Sequence, residues 1–196
     1  MTAIDPSNAA ATGQAVETAK SLRSLYWTRA AFSIIWVILI ALFAKTSTGF
    51  TSVLLIIYPA WDVLATFLDI RANDPAVNKT PQYINALIST FTALAVGFAL
   101  NKGVPEALIV FGCWAILTGA IQLILALRRR KLLGGQWPMI ISGGQSAIGG
   151  TSFIILAHDP TMGITSLAGY AAFGAFYYLL AAFRLSKTVN QVTAIG

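Results

Sequence analysis

An acidic residue lies inside a strongly apolar stretch, residues 54–71, which reads LLIIYPAWDVLATFLDIR. A carboxyl group among membrane-type residues is costly, and such groups often mark proton or solute pathways. At helical spacing, four polar side chains share one face of this stretch: Tyr58, Asp62, Thr66 and Asp69. Because we find no Lys or Arg at the depth of Asp62 in any apolar segment, we expect burial to favour its neutral, hydrogen-bonding form.

Two glutamines lie at a similar predicted depth. At about 1.5 Å per helical residue, Asp62 lies roughly 13 Å from the inner end of its segment, Gln145 about 12 Å and Gln122 about 9 Å. Three interpretations of this polar set remain open. It could fix helix packing by hydrogen bonds, form a protonatable site on a proton or small-solute path, or contact another membrane subunit.

The composition indicates an integral membrane protein. Of the 196 residues, 57% are hydrophobic and 10% charged, and the mean hydropathy is +0.73. One cysteine and one histidine exclude an intrachain disulfide and argue against most zinc, haem and triad chemistry. No nucleophile–base pair or cofactor fingerprint stands out, so we expect no enzyme activity, no cofactor and no metal.

Six apolar segments are long enough to cross a bilayer as helices. They cover residues 26–44, 50–70, 82–100, 105–127, 137–157 and 160–185. Short, turn-rich connections join them in pairs, which predicts three helical hairpins. We therefore predict an all-α, polytopic membrane domain over residues 26–187. It is preceded by a disordered tail and an interfacial helix over 1–25 and followed by a tail over 188–196.

Basic residues are distributed unevenly over the predicted connections. Of the 13 Lys and Arg residues, all but Lys45 and Lys102 fall on the side that holds both termini. The positive-inside rule then places both termini in the cytoplasm. We interpret one basic run mainly as a topology signal and secondly as a site for anionic lipid headgroups, with no nucleic-acid partner: Arg128, Arg129, Arg130 and Lys131.

The three hairpins show a regular spacing. Ala44, Asn101 and His158 mark the outer turns, each 57 residues after the last. A period of this length suits a two-helix repeat. All three units enter the membrane from the same side, so they predict a pseudo-threefold axis along the membrane normal. The repeats cover residues 26–74, 82–131 and 136–187.

Small residues predict close contacts between helices, mainly along the fifth segment. Two rows with a spacing of four residues lie there, and further small residues lie in the even-numbered segments. The predicted packing positions are Ser142, Ser146 and Gly150, then Gly143 and Ala147, with Gly119 and Gly174 elsewhere.

The pattern over 104–187 resembles the HdeD-like family of small bacterial inner-membrane proteins. It runs VPEALIVFGCWAILTGAIQLILALRRR, then GGQWPMIISGGQSAIGGTSFIILAHDP, then GITSLAGYAAFGAFYYLLAAF. The resemblance implies a non-enzymatic protein of the inner membrane with a role in acid or stress tolerance. The chain departs from the pattern at YPAWD, where Asp62 falls opposite Gly119 of the second repeat.

Two other functions stay open beside the HdeD-like role. One is a small proton- or solute-conducting transporter or channel that uses Asp62. The other is an accessory subunit of a larger membrane complex. The expected partners are the lipid bilayer and either further copies of the chain or other membrane subunits.

Overall fold

The computed structural model describes residues 6–73, 76–133 and 136–193, and this part of the chain holds six α-helices and no β-strand. In chain order they are α1 (Pro6–Phe43), α2 (Thr48–Ala72), α3 (Thr80–Leu100), α4 (Val104–Leu133), α5 (Trp137–Ile155) and α6 (Ile164–Thr193). The predicted all-α membrane architecture is confirmed.

Five of the described helices are long and apolar enough to cross a membrane, namely all except α5. This helix has 19 residues, and its four glycines, three serines and one glutamine lower its hydropathy. It nevertheless packs extensively along α4. The chain is therefore a multi-pass membrane protein, and a sixth span at α5 stays a prediction.

The first helix differs from its predicted form. We expected a disordered tail and a separate interfacial helix over residues 1–25, but α1 runs unbroken from Pro6 to Phe43. Its early apolar residues Ala19, Leu22 and Leu25 are buried in one cluster with Leu185 of α6. The predicted interfacial helix is thus the first part of α1, and its apolar residues pack against other helices of the bundle. Residues 1–5 lie outside the described part.

The last helix is displaced along the sequence from its predicted span. α6 begins at Ile164 instead of Pro160 and continues to Thr193, through most of the predicted tail, of which 194–196 lie outside the described residues. Pro160 lies in the preceding turn. There Asp159 accepts hydrogen bonds from the backbone N–H (2.8 Å) and the hydroxyl (2.6 Å) of Thr161, which lower the pKa of Asp159.

The helices form a ring in chain order, in which each helix contacts the next and α6 returns to α1. Contacts are most extensive between α2 and α3, α4 and α5, and α6 and α1, and they are sparser within each predicted hairpin. Three hairpins around a pseudo-threefold axis would produce this alternation. Repetition of the sequence itself stays a prediction.

The ring has two ends. The terminal end holds the start of α1 and the end of α6, together with the ends of α2 and α4 and the starts of α3 and α5. The hairpin end holds the three short turns α1–α2, α3–α4 and α5–α6.

The apolar core consists of two clusters, one towards each end. The hairpin-end cluster takes buried residues from all six helices, including Trp36, Ile40, Leu55, Val96, Phe111, Phe153 and Leu167. The terminal-end cluster takes them from every helix except α3, including Leu22, Ala65, Ala126, Met139 and Leu185. A polar layer lies between the clusters.

Candidate functional site

Asp62 forms a buried ion pair with Arg29. The guanidinium Nη1 of Arg29 lies 2.7 Å from the carboxylate Oδ1 of Asp62, and both side chains are about six-sevenths buried, at 15% and 13% exposure. The expectation that Asp62 has no counter-ion is therefore wrong. α1 is already buried at Ala19, well before Tyr26. Arg29 lies about 15 Å further along the helix, and so it lies inside the bundle and not at its end.

The second oxygen of Asp62 is held by α3. Asn85 Nδ2 and Ser89 Oγ each donate to Oδ2 at 2.7 Å. Asn85 also donates to Thr66 Oγ1 at 2.8 Å, and the indole N–H of Trp114 donates to Ser89 Oγ at 2.9 Å. Three donors converge on the carboxylate, and one of them is a cation. The neutral form of Asp62 was expected because no counter-ion was found at its depth, and Arg29 removes that premise.

A second ion pair lies two helical turns further along α2. Arg129 Nη2 lies 2.9 Å and 2.7 Å from the two carboxylate oxygens of Asp69, and both side chains are about nine-tenths buried. The secondary prediction that Arg129 binds lipid headgroups is therefore wrong, whereas its part in the topology signal stays a prediction. Arg128, Arg130 and Lys131 are exposed, and Arg130 lies 5.9 Å from the ring centre of Trp137.

The ion pairs line a cavity of about 120 Å³ between the two apolar clusters. All six helices contribute lining residues. Among the polar ones are Arg29, Asp62, Gln82, Arg129, Gln145 and Tyr170. A cavity of this volume has room for several water molecules. The polar layer is thus a chamber whose walls carry four charged side chains.

Gln122 and Gln145, the two glutamines predicted at the depth of Asp62, line the cavity. In the described part of the chain, Gln122 is connected to Asp62 only through Tyr178 and Arg29, and Gln145 is not connected to it. Tyr178 accepts a hydrogen bond from Arg29 Nη1 at 3.0 Å, and its hydroxyl lies 3.5 Å from Gln122 Oε1. Gln122 Nε2 donates to the carbonyl of Met139 at 3.1 Å. Gln145 makes no hydrogen bond to Asp62 among the described contacts.

The other predicted face residues have different neighbours. Tyr58 lies 3.4 Å from Ser33, hydroxyl to hydroxyl, and its ring lies among those of Phe32, Trp36 and Trp114. Tyr58 therefore lines the hairpin-side wall of the cavity without touching the carboxylates.

The predicted small residues divide into two groups. Glycines of α4 and α5 meet backbone to backbone, since a Cβ built on Gly119 would lie 2.9 Å from the carbonyl of Gly143, and one on Gly150 would lie 2.5 Å from that of Gly112. Gly174 does not belong here, because nothing lies within 4 Å of its Cβ position. It lines the cavity instead.

Three further predicted packing residues lie along α5. Ser142 and Ser146 are buried, whereas Ala147 is half-buried. Ser146 accepts a hydrogen bond from the hydroxyl of Tyr170 at 3.0 Å.

The sequence did not reveal the ion pairs of Arg29 and Arg129. It also did not reveal Gln82, whose buried Oε1 has no hydrogen-bond partner among the described residues. The clue to Arg29 was the helical periodicity that continues upstream from Tyr26. Asn85 and Ser89 are four residues apart and so share one face of α3, but this spacing does not show that the face meets Asp62. Within the described ranges, no group of three or more His, Cys, Asp or Glu side chains could hold a metal ion.

Comparisons with protein-family models, curated proteins and solved structures found no match for this chain. The HdeD-like resemblance therefore stays a prediction from the sequence.

Proposed function

We propose that this chain is a non-enzymatic, multi-pass membrane protein that binds a small polar solute in its central cavity and passes it across the bilayer. The observation that supports the proposal is a chamber lined by two buried Arg–Asp pairs inside an otherwise apolar bundle. Charged groups within membrane helices are rare and are associated with substrate and ion pathways. Small-molecule sites also tend to lie between the helices of bundles.

The arrangement around Asp62 supports a solute over a proton as the transported species. A proton carrier needs a carboxylate that can exchange its proton with water or with a second acid. Asp62 instead accepts from Arg29, Asn85 and Ser89 on both oxygens. Protonation would break the ion pair and leave Arg29 as a buried, unpaired charge.

Apolar clusters fill the bundle on both sides of the cavity. A solute that crosses the membrane must pass between apolar side chains at each end. The proposal therefore requires the helices to separate at the hairpin end and at the terminal end, so the structure corresponds to a closed state. Rearrangement between closed and open states is typical of transporters built from helical repeats.

The test is solute uptake into liposomes that contain the purified protein. Two matched variants of α6 are compared, one that fills the chamber and one that leaves it open. Gly174→Phe adds a large side chain at a cavity-lining position with no atom within 4 Å of its Cβ, whereas Gly169→Phe adds the same group at an exposed position. We expect Gly174→Phe to reduce uptake at least tenfold and Gly169→Phe to leave it unchanged.

The two variants also control for misfolding, since neither touches an ion pair. If wild-type liposomes take up small polar solutes no faster than empty liposomes, the proposal is wrong. Equal loss of uptake in both variants would also contradict it, because the exposed position lies outside the chamber.

The cytoplasmic placement of both termini, the bacterial inner membrane and the role in acid or stress tolerance stay predictions. The first is supported by the exposed Arg128, Arg130 and Lys131 near the terminal end, since the cytoplasmic side carries an excess of basic residues. The other two depend on the resemblance alone.

A further inference from the structure

The charges that line the cavity cancel. Among the residues that the structure describes, the charged side chains of its wall are Arg29, Arg129, Asp62 and Asp69. Each arginine lies 2.7 Å from an aspartate. A cation or an anion that entered would lose its hydration without meeting an unpaired charge of opposite sign, which is unfavourable inside a membrane protein. A molecule without net charge avoids this penalty.

One acceptor in the wall has no donor. The side chain of Gln82, in the first turn of α3, is buried at 2% exposure, and its Oε1 has no hydrogen-bond partner. Native proteins leave few buried polar atoms unpaired, and each exception calls for a cause. The last side-chain torsion of glutamine is soft, so a small rotation of the carboxamide presents the oxygen to a donor in the cavity.

Unused donors line the same chamber. A guanidinium carries five N–H groups. The bonds to the aspartates and to Tyr178 use Nη1 of Arg29 and Nη2 of Arg129, and Arg129 also hydrogen-bonds to Tyr26. Their remaining N–H groups suit a carbonyl oxygen, which accepts from more than one donor.

From these features we infer that the solute is a compact molecule without net charge that carries both N–H donors and a carbonyl acceptor, as a urea or a small primary amide does. The inference depends on the proposed transport function and specifies its substrate class. The carbonyl accepts from the arginines, and an N–H group donates to Gln82 Oε1. A chamber of about 120 Å³ has room for a compact solute of this kind.

Three planar probes of almost the same size and shape isolate the effect of charge. Urea is neutral, guanidinium is a permanent cation and nitrate is an anion, and each has four non-hydrogen atoms. Tracer uptake into protein-containing liposomes at zero membrane potential should be at least tenfold faster for urea than for either ion, each corrected for empty liposomes. Glycerol serves as a neutral probe without N–H groups and should enter at least threefold more slowly than urea.

The outcomes separate this inference from the proposed function. If guanidinium, nitrate or glycerol enters as fast as urea, the substrate class is wrong, although transport itself stands. If none of the four probes enters faster than into empty liposomes, the transport proposal and this inference fall together.

Gln82→Leu tests the unpaired acceptor, with Thr90→Val on the exposed side of the same helix as a control. We expect Gln82→Leu to slow urea uptake at least fivefold and to raise Tm by a few degrees, because an unsatisfied buried carbonyl is removed. Thr90→Val should leave uptake unchanged. A purely structural glutamine would lower Tm and uptake together. That result, or unchanged urea uptake in Gln82→Leu, overturns the inference.

Discussion

The α2–α3 and α4–α5 contacts occupy matching positions in the ring but are made from different groups. In the first, Asp62 contacts Ser89; in the second, Gly119 contacts Ser146, and each residue lies 57 positions after its counterpart. Glycine lets the backbones of α4 and α5 meet directly. Between α2 and α3 the contact is made by side chains, through hydrogen bonds from Asn85 and Ser89 to the carboxylate.

This difference explains why the cavity is polar and why it needs Arg29. A ring closed by three glycine contacts would bury only backbone and small side chains. Placing a carboxylate in one contact introduces a charge that α3 alone cannot neutralise, since Asn85 and Ser89 are uncharged. The counter-charge comes from the neighbouring α1, so the α2–α3 contact depends on a third helix while the α4–α5 contact does not.

The largest effect is expected when this counter-charge is removed. Arg29→Leu leaves Asp62 buried and unpaired and should lower the free energy of unfolding by about 3–5 kcal/mol. Reversible unfolding in mixed detergent micelles measures the change. Arg128→Leu, an exposed arginine at the end of α4, should stay within about 0.5 kcal/mol of wild type.

The double variant Arg29→Leu/Asp62→Leu sharpens this result. Apolar replacement of a whole buried ion pair is often nearly neutral, so the second substitution should restore most of the lost stability. A double variant as unstable as Arg29→Leu would show that the arginine stabilises the fold by packing and not by neutralising Asp62.

The glycine contact between α4 and α5 should be destabilised in a different way, by steric overlap. Gly150→Ala places a Cβ 2.5 Å from the carbonyl oxygen of Gly112, so α4 and α5 must separate, and unfolding should become easier by about 1–3 kcal/mol. Gly144→Ala in the same helix meets nothing within 4 Å. It should be neutral or stabilise by up to about 1 kcal/mol, and an equal loss in both variants would rule out the close contact as the cause.

The helices could be predicted from the sequence because hydropathy is a local property, and the apolar runs survive any rotation of a helix about its axis. The arginine partners could not be predicted in this way. A surface helix and a packed helix share the same apolar periodicity, so residues 16–26 did not reveal that α1 continues inwards and carries Arg29 with it.

Arg129 shows the same limit at the other ion pair. Successive helical residues are rotated by about 100°, so the run 128–131 covers the whole circumference of α4, and one basic side chain had to face the bundle. Which one it is depends on how α4 is rotated against α2, and this is set by the Gly119 and Gly112 contacts with α5. The polar faces of α2 and α3 were visible in the sequence, but their meeting at Asp62 depends on the same tertiary register.

The smallest expected difference compares equivalent serines in the two contacts. Ser89 donates to the charged Asp62 and accepts from Trp114, whereas Ser146 accepts from the neutral Tyr170. Ser89→Ala should therefore cost about 1.5 kcal/mol, as for a hydrogen bond to a charged group, and Ser146→Ala about 0.6 kcal/mol, typical between membrane helices. Unfolding of the two variants in one micelle system measures both values. Equal losses would mean that the ion pair with Arg29 already neutralises Asp62 so fully that its α3 donors behave as neutral ones, and the two contacts would then differ only in whether backbones or side chains meet.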